Sequence, residues 1–224
     1  MLNGKIHWNT VYKFFVKLQK YNIIELSYYD TVKKYNKKFL SKSKTNILIT
    51  DTTIVPNKLG IDKVGYNPQI PKHKASKISL ITDIFGVPLN CNIYSCSNYD
   101  SSILNNQLDD IIIHNSELLN NNNILLADAG YDSNVIKNKL KNIKFGKLLS
   151  HRNKRNIKDK QKLQAIKLLP TEIKLLKKRI KIEHTNALLK QYRRLSTRYD
   201  KYASSYMLFL YLACCDIVLK NINK

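Results

Sequence analysis

The order of the strand-like runs is what most constrains this chain. NILITDTTIV (46–55), SKISLITDIFG (76–86) and VPLNCNIYSC (87–96) are short, apolar and rich in β-branched residues, and the last two meet at the turn Phe85-Gly86-Val87-Pro88, which reads as a hairpin. Three strands in succession predict an antiparallel start. The period then lengthens: Ile103, Leu104, Leu108, Ile111 and Ile112 form one helical face, and an Asn-rich turn at 120–123 leads into the strand NILLADAG. A helix over Ser133–Leu140, the strand KFGKLLS, a polar stretch at 151–170, a basic helix and a last apolar helix at about 203–220 complete the chain. The predicted order is β-β-β-α-β-α-β-α, an α/β fold on a mixed sheet. Ahead of it, residues 7–35 read as two short helices, with Asn9 or Thr10 as N-cap, Val11, Phe14, Phe15 and Leu18 as an apolar face and Trp8 in the core. A polar linker at 37–45 then separates a helical region, 1–44, from a main domain, 45–224.

Charge narrows the class of partner. Lys and Arg total 39 against 16 Asp and Glu, a formal net charge of +23 with a pI near 9.8, and such an excess favours a polyanion, nucleic acid first. The bias is mostly lysine, as A+T-rich coding would produce, yet it promotes phosphate binding whatever its origin. Cys91, Cys96, Cys214 and Cys215 form no CxxC pair, so neither a zinc site nor a disulfide framework is expected. No charged-then-apolar leader opens the chain, and the apolar run from Tyr206 to Cys215 is about half of a bilayer span. An intracellular protein with a buried C-terminal helix is expected: cytoplasm or nucleoid if bacterial, nucleus or replication site otherwise.

In KKRIKIEHTNALLKQYRRLSTRYD (177–200) one carboxylate, Glu183, stands among many positive charges. Wound at about 100° per residue, Arg179, Glu183, Asn186 and Lys190 fall within about 60° of one another. Two apolar stripes flank them, Ile173, Leu176, Ile180 and Ala187 on one side and Leu175, Ile182 and Leu189 on the other, with the ordinary charged face at Lys174, Lys178, Lys181 and Thr185. The arrangement predicts a helix buried on two sides with a polar seam between them. The plain alternative is an i,i+4 ion pair between Arg179 and Glu183, worth a few tenths of a kcal/mol.

Two further acids favour the functional reading. Asp51 lies in the centre of the first strand, where an ionised carboxylate is costly unless it is paired or binds a metal. Asp128 ends the fourth strand before Ala-Gly, and the C-terminal ends of such strands are where ligands bind. Asp51, Asp128 and Glu183 together would offer oxygen ligands to two Mg²⁺ or Mn²⁺ ions, which activate water or a 3′-hydroxyl for in-line attack on a phosphodiester. Arg179 and Lys190 would then hold DNA phosphates beside the metals. Tyr192, Arg193, Arg194 and Arg198 are expected to continue that patch along the DNA backbone, and Lys74 and Lys77 to add basic contacts from the loop PKHKASK, although a solvated helix end and a solvated loop would read the same way. Asp132 reads as a helix cap, and Asp62 and Asp83 as turn residues.

With these residues in place the chain resembles the DDE insertion-sequence transposases, specifically the insertion-sequence four/five-like group with a Y-x2-R-x3-E-x6-K signature. Asp51 in DTT, Asp128 in ADAGYDS, Arg179-x3-Glu183-x6-Lys190, the basic QYRRLSTRYD and the strands of HKASKISLITDIFGVPL carry the likeness across residues 45–220. The residues HWNTVYKFFVKLQ look like the end of the family's helical DNA-binding region, so part of an end-recognition module is expected to be missing. The resemblance implies a ribonuclease-H-like fold and a metal-dependent enzyme, dimeric in a synaptic complex, that nicks double-stranded DNA at element ends and joins the 3′ ends to a target. The signature Tyr position holds Leu176. Two alternatives remain from the residues themselves: an inactive DNA-binding remnant, and a ribonuclease-H-like nuclease with another nucleic-acid substrate.

Overall fold

A computed structural model describes residues 6–67, 73–151 and 168–223. Its centre is β1 (Ile47–Pro56), antiparallel to β3 (Lys74–Asp83) on one side. On the other side β1 runs parallel to β5 (Ile124–Ala127), which in turn pairs in parallel with β6 (Lys147–Ser150). β3 also carries β4 (Pro88–Ser95) and the two-residue β2 (Gly65–Tyr66), giving the order β2-β3-β1-β5-β6 with β4 beside β3. The mixed sheet agrees with the strand order expected from the sequence. Only β2 is additional, too short for a periodicity to show.

The sheet is covered on both faces, which is why its strands read as nearly continuous apolar runs. One face takes α3 (Asp100–His114), which buries Ile103, Leu104, Leu108 and Ile111, and the Ser79 hydroxyl donates to Gln107 Oε1 of that helix at 2.7 Å. The other face takes α2 (Ile23–Tyr35) and α8 (Ala203–Ile222). There the Tyr28 hydroxyl donates to the Pro88 carbonyl at 3.1 Å, Tyr35 donates to Asp83 at 2.6 Å, and the Tyr28 and Tyr211 rings stack at 5.4 Å. α8 is long and apolar enough to cross a membrane by length and composition, but Tyr206, Leu210, Cys214 and Val218 are fully buried against the rest of the chain. All four cysteines are free.

Several expectations are corrected by packing. α1 (Trp8–Lys20) begins before Asn9, and its cap is His7, whose Nδ1 accepts from the Asn9 backbone N–H at 3.2 Å. Trp8 is 69% exposed rather than core, and Val11 and Phe14 are exposed too. α2 and α8 already cover the sheet, so α1 lies over their edge and only Phe15 and Leu18 pack partly inward. The first half of the expected 37–45 linker is helical, a π turn over Asn36–Leu40 that prolongs α2.

The basic helix is also broken. After α4 (Asn134–Asn142), α5 (Pro170–Leu176) passes through a 3₁₀ turn at Lys177–Arg179 into α6 (Ile180–Gln191), followed by the short α7 (Arg193–Ser196). α6 is buried on one side, through Ile182, Thr185, Asn186 and Leu189, whereas Ile173, Ile180 and Ala187 are exposed. Thr185, expected on the charged face, points inward because its hydroxyl donates to the Gly86 carbonyl at 2.7 Å. Gly86 has φ +85°, the left-handed conformation that the tight β3–β4 turn requires and glycine takes without strain. Lys72 and the basic residues between 152 and 167 lie outside the described residues.

Candidate active site

The backbone register brings the first two acids together. The parallel β1–β5 ladder pairs Ile49 with Leu126, and Asp51 and Asp128 each follow two residues later, so the same register carried forward sets Asp51, midway along β1, beside Asp128, just past the end of β5. Alternation sends Asp51 and Thr52 to opposite faces of the sheet. Asp51 accepts from Asn186 Nδ2 of α6 at 3.4 Å, while the Thr52 hydroxyl donates to Asp100 at the start of α3 at 3.1 Å.

Burial dominates the electrostatics of Asp51. Its carboxyl is pushed up to about 6 by desolvation, opposed by the Thr52 backbone N–H and the Arg179 charge and reinforced by Asp100 and Asp128. Hydrogen bonds and a nearby cation therefore recover only part of what burial costs the carboxylate. Asp128 is exposed, and its Oδ1 accepts from the Ala129 backbone N–H at 2.8 Å and from Arg179 Nη1 at 3.4 Å.

Glu183 lies between the two residues of α6 and its preceding turn that touch these acids. Arg179 stands one turn before it and reaches Asp128; Asn186 stands one turn after it and reaches Asp51. Glu183 thus shares the side of the helix that carries Arg179 and Asn186, and is exposed to solvent. The carboxylates supply hard oxygen ligands, and the desolvated, like-charged Asp51 is an environment that a divalent cation would relieve. Among the described residues, however, no three His, Cys, Asp or Glu side chains are close enough to hold an ion together. Arg179 now provides the positive charge between Asp51 and Asp128.

The basic residues divide into two groups. Lys74, Lys190 and Arg193 are exposed. Arg193 and Arg194 line an open cleft of about 540 Å³ with Ser196, Thr197 and Tyr199, and Arg194 pairs with Asp200 at 2.5 Å while its guanidinium lies 4.6 Å from the Phe209 ring. Two expectations of DNA contact are corrected here. Arg198 is fully buried, held by Asp62, Ser76 Oγ and the carbonyls of Asp62, Asp200 and Lys201, so its charge is spent inside the protein. Lys77 is 13% exposed and donates to Asp100 and the Asn98 carbonyl, each at 3.0 Å, because it sits on β3 facing α3 rather than in the loop.

Sequence reading missed Asp100 and Tyr131 at this site. Asp100 reads as an ordinary acid at a helix start, and Tyr131 as one more aromatic in AGYD; neither carries a signal of where the chain crossing places it.

Residues 42–215 match the family described as transposase DDE domain. Among solved structures, a piggyBac transposase in a synaptic complex with hairpin DNA aligns with TM-score 0.52 at 9% identity over 79% of this chain and 47% of that one. A Mos1 pre-cleavage transpososome aligns at 11% identity over 88% of this chain and 62% of that one, and a Mos1 mariner paired-end complex with Mn at 11% over 71% and 60%. Their TM-scores, 0.36 and 0.32, are too low to carry an argument. The chain thus spans about half the length of the piggyBac protein, and that alignment establishes the ribonuclease-H-like arrangement of the mixed sheet. No curated protein gives a significant match.

Proposed function

The chain belongs to the transposase DDE-domain family, and from that premise we propose that it is a divalent-metal-dependent enzyme that nicks double-stranded DNA at the ends of a mobile element and transfers the resulting 3′ ends. The observation that carries this reading is the desolvated Asp51 beside Asp128, bridged to α6 by Asn186 and Arg179 on either side of Glu183.

In this reading Asp51, Asp128 and Glu183 hold Mg²⁺ or Mn²⁺, two ions if all three participate. A bound cation would polarise the scissile phosphate and lower the pKa of a water or 3′-hydroxyl. The protein's own part is placement. β1 and β5 fix the aspartates by register, and α6 carries Glu183 over them. Lys190 and Arg193 are exposed after Glu183 and the half-buried Arg179 precedes it, and together they are suited to hold phosphates of a DNA strand at the site. Cleaving two ends in concert calls for two copies, so a homodimer pairing the ends, acting where the DNA is, belongs to the same proposal. Residues 45–224 are assigned as the catalytic domain, with the lysine-bearing α1 from 1–44 as a further DNA contact.

The test is nicking and strand transfer on labelled duplex carrying the DNA that flanks the coding sequence, with Mg²⁺ or Mn²⁺. Wild type is expected to nick, and Asp51→Asn, Asp128→Asn and Glu183→Gln each to lose several kcal/mol of transition-state stabilisation, on the order of 1000-fold in rate, while still binding DNA. Variants that nick as fast as wild type would sink the assignment, and a wild type that binds DNA without cutting would favour the inactive remnant.

A further inference from the structure

Arg179 is held at Asp128 by a single contact. Its Nη1 lies 3.4 Å from Asp128 Oδ1, and no other N–H of its guanidinium has a protein partner among the described residues; Nε is buried without an acceptor. A buried donor left unpaired is rare and calls for a reason. The Asp128 side chain is 62% exposed, and an ion pair to so solvated a carboxylate adds little to stability. Arg179 is thus not anchored as Arg198 is, whose guanidinium is shared among Asp62, Ser76 and three carbonyls. Nor does it stand free in solvent, as Lys190 does. It is carried by the 3₁₀ turn Lys177–Arg179 between α5 and α6, and such interruptions of a helix often mark hinges.

The Asp128 carboxylate has two claimants, the guanidinium that touches it and the divalent ion it is suited to bind. They exclude each other by charge. A unit positive charge several ångströms from a divalent cation weakens its binding by about 10-fold even in water. A DNA phosphate is the better partner for Arg179, because it offers oxygens to both arms of the planar fork, whereas Asp128 engages one N–H. We propose that Arg179 is an autoinhibitory counter-ion: without DNA it fills the cation's place at Asp128, and a DNA phosphate that takes over the guanidinium opens the site to the ion. This rests on the reading of Asp128 as a metal-binding acid. By linkage, DNA and the ion then each strengthen the other's binding, so the ion loads where there is a phosphodiester to cut.

Two plainer roles make different predictions. If Arg179 only ties its turn to Asp128, Arg179→Gln lowers the melting temperature and, by loosening the acids, weakens Mn²⁺ binding. If it only holds a phosphate, the variant loses DNA affinity and leaves Mn²⁺ affinity without DNA unchanged. Competition predicts the opposite sign. Without DNA, Arg179→Gln is expected to bind Mn²⁺ about 10-fold more tightly than wild type, read by the electron paramagnetic resonance signal of free Mn²⁺, with an unchanged melting temperature. Added duplex is expected to tighten Mn²⁺ binding to wild type, and to tighten it less in the variant, which has no competitor to release. Lys178→Gln removes the same charge from an exposed residue of the same turn and is expected to shift Mn²⁺ affinity by about twofold or less, since salt screens an exposed charge.

Mn²⁺ affinity in Arg179→Gln that is weaker than in wild type, or within twofold of it, overturns the proposal. So does an equal gain in Lys178→Gln, which would make the effect one of net charge, and so does an absence of Mn²⁺ binding from both wild type and Arg179→Gln. Arg179→Lys keeps the charge and with it the competition, so it is expected to bind Mn²⁺ as wild type does; tighter binding there overturns the proposal even if Arg179→Gln fails to fold. Asp128→Asn separates the two readings. If it binds Mn²⁺ as wild type does, the ion is elsewhere, and the metal-site reading fails together with this proposal. If Asp128→Asn loses the ion and Arg179→Gln gains nothing, only the competition fails.

Discussion

The two sides of the candidate site are held in different ways. On the sheet side, Asp51 is placed by backbone, since β1 pairs with β3 through nine residues from Leu48 to Pro56 and with β5 up to Ile49, and Asp128 follows directly on the end of β5, capping the turn Ala129–Tyr131. On the helix side, Glu183 owes its place to side-chain contacts, chiefly Thr185 on the Gly86 carbonyl and Asn186 on Asp51. The basic segment after it is tied down by Arg198. The sheet side therefore carries one carboxyl, Asp51, that burial penalises, and the helix side carries solvated charges on a segment held by buried Ile182 and Leu189 and by Arg198.

The largest expected effect comes from cutting the helix side's mooring. Arg198 joins the chain after α7 to Asp62 and Ser76, and its backbone forms a bridge with Asn57 beyond β1. Arg198→Ala leaves Asp62 and several carbonyls without their donor, and removing one partner of a buried charge network costs about 3–5 kcal/mol. Because Asp62 is itself 45% exposed and water can reach it, the lower end of that range is expected, measured by urea unfolding. An Arg198→Ala protein as stable as wild type but weak in DNA binding would restore Arg198 to the DNA surface and erase the contrast.

How much of this contrast is legible from the sequence depends on what fixes each residue. Asp51 and Asp128 are legible because strand periodicity locates them and a carboxylate in an apolar strand is out of place. The break at Lys177–Arg179 is not, since nothing in KKR disfavours a helix; the turn lies between Leu176 and Ile182, both buried in the folded chain. Arg198 and Arg193 look alike in YRRLSTR, five residues apart, and only the position of Asp62, 136 residues away in the chain, makes one internal. Thr185 reads as polar surface until Gly86 supplies its acceptor. Long-range partners of polar side chains leave no local period, and those are the residues that sequence reading placed wrongly or passed over.

Next in size is the penalty on Asp51. Its folded pKa of about 6 lies above the unfolded value of 3.8, so well below pH 3.8 both states are protonated and the group costs nothing. As pH rises from about 4 the unfolded chain ionises first and stability falls, until above pH 6 the whole penalty is present. Two units correspond to at most about 3 kcal/mol, and partial solvent access reduces that. Asp51→Asn is therefore expected to raise the melting temperature at pH 7.5 and to leave it nearly unchanged well below pH 3.8, near pH 3, while abolishing nicking. A gain in stability on losing the residue that chemistry needs is the mark of a strained functional acid. An equal effect at both pH values would assign it to the amide's own packing.

The smallest effect tests the opposite property, the freedom of the helix side's charges. Lys190 and Arg193 are exposed, so alanine at either should leave unfolding within about 0.5 kcal/mol of wild type. In duplex binding measured against salt, each phosphate contact contributes about 0.9 to the slope of log affinity on log salt concentration. Each substitution is thus expected to lower the slope by about 1, across sequences alike, whereas Lys77→Ala is expected to leave it unchanged because Lys77 serves Asp100 inside the protein. The three slopes separate residues that the sequence presents as equivalent. Should Lys77→Ala also reduce the slope, the Lys77–Asp100 pair must open when DNA binds, and the sheet side would be less fixed than its ladder implies.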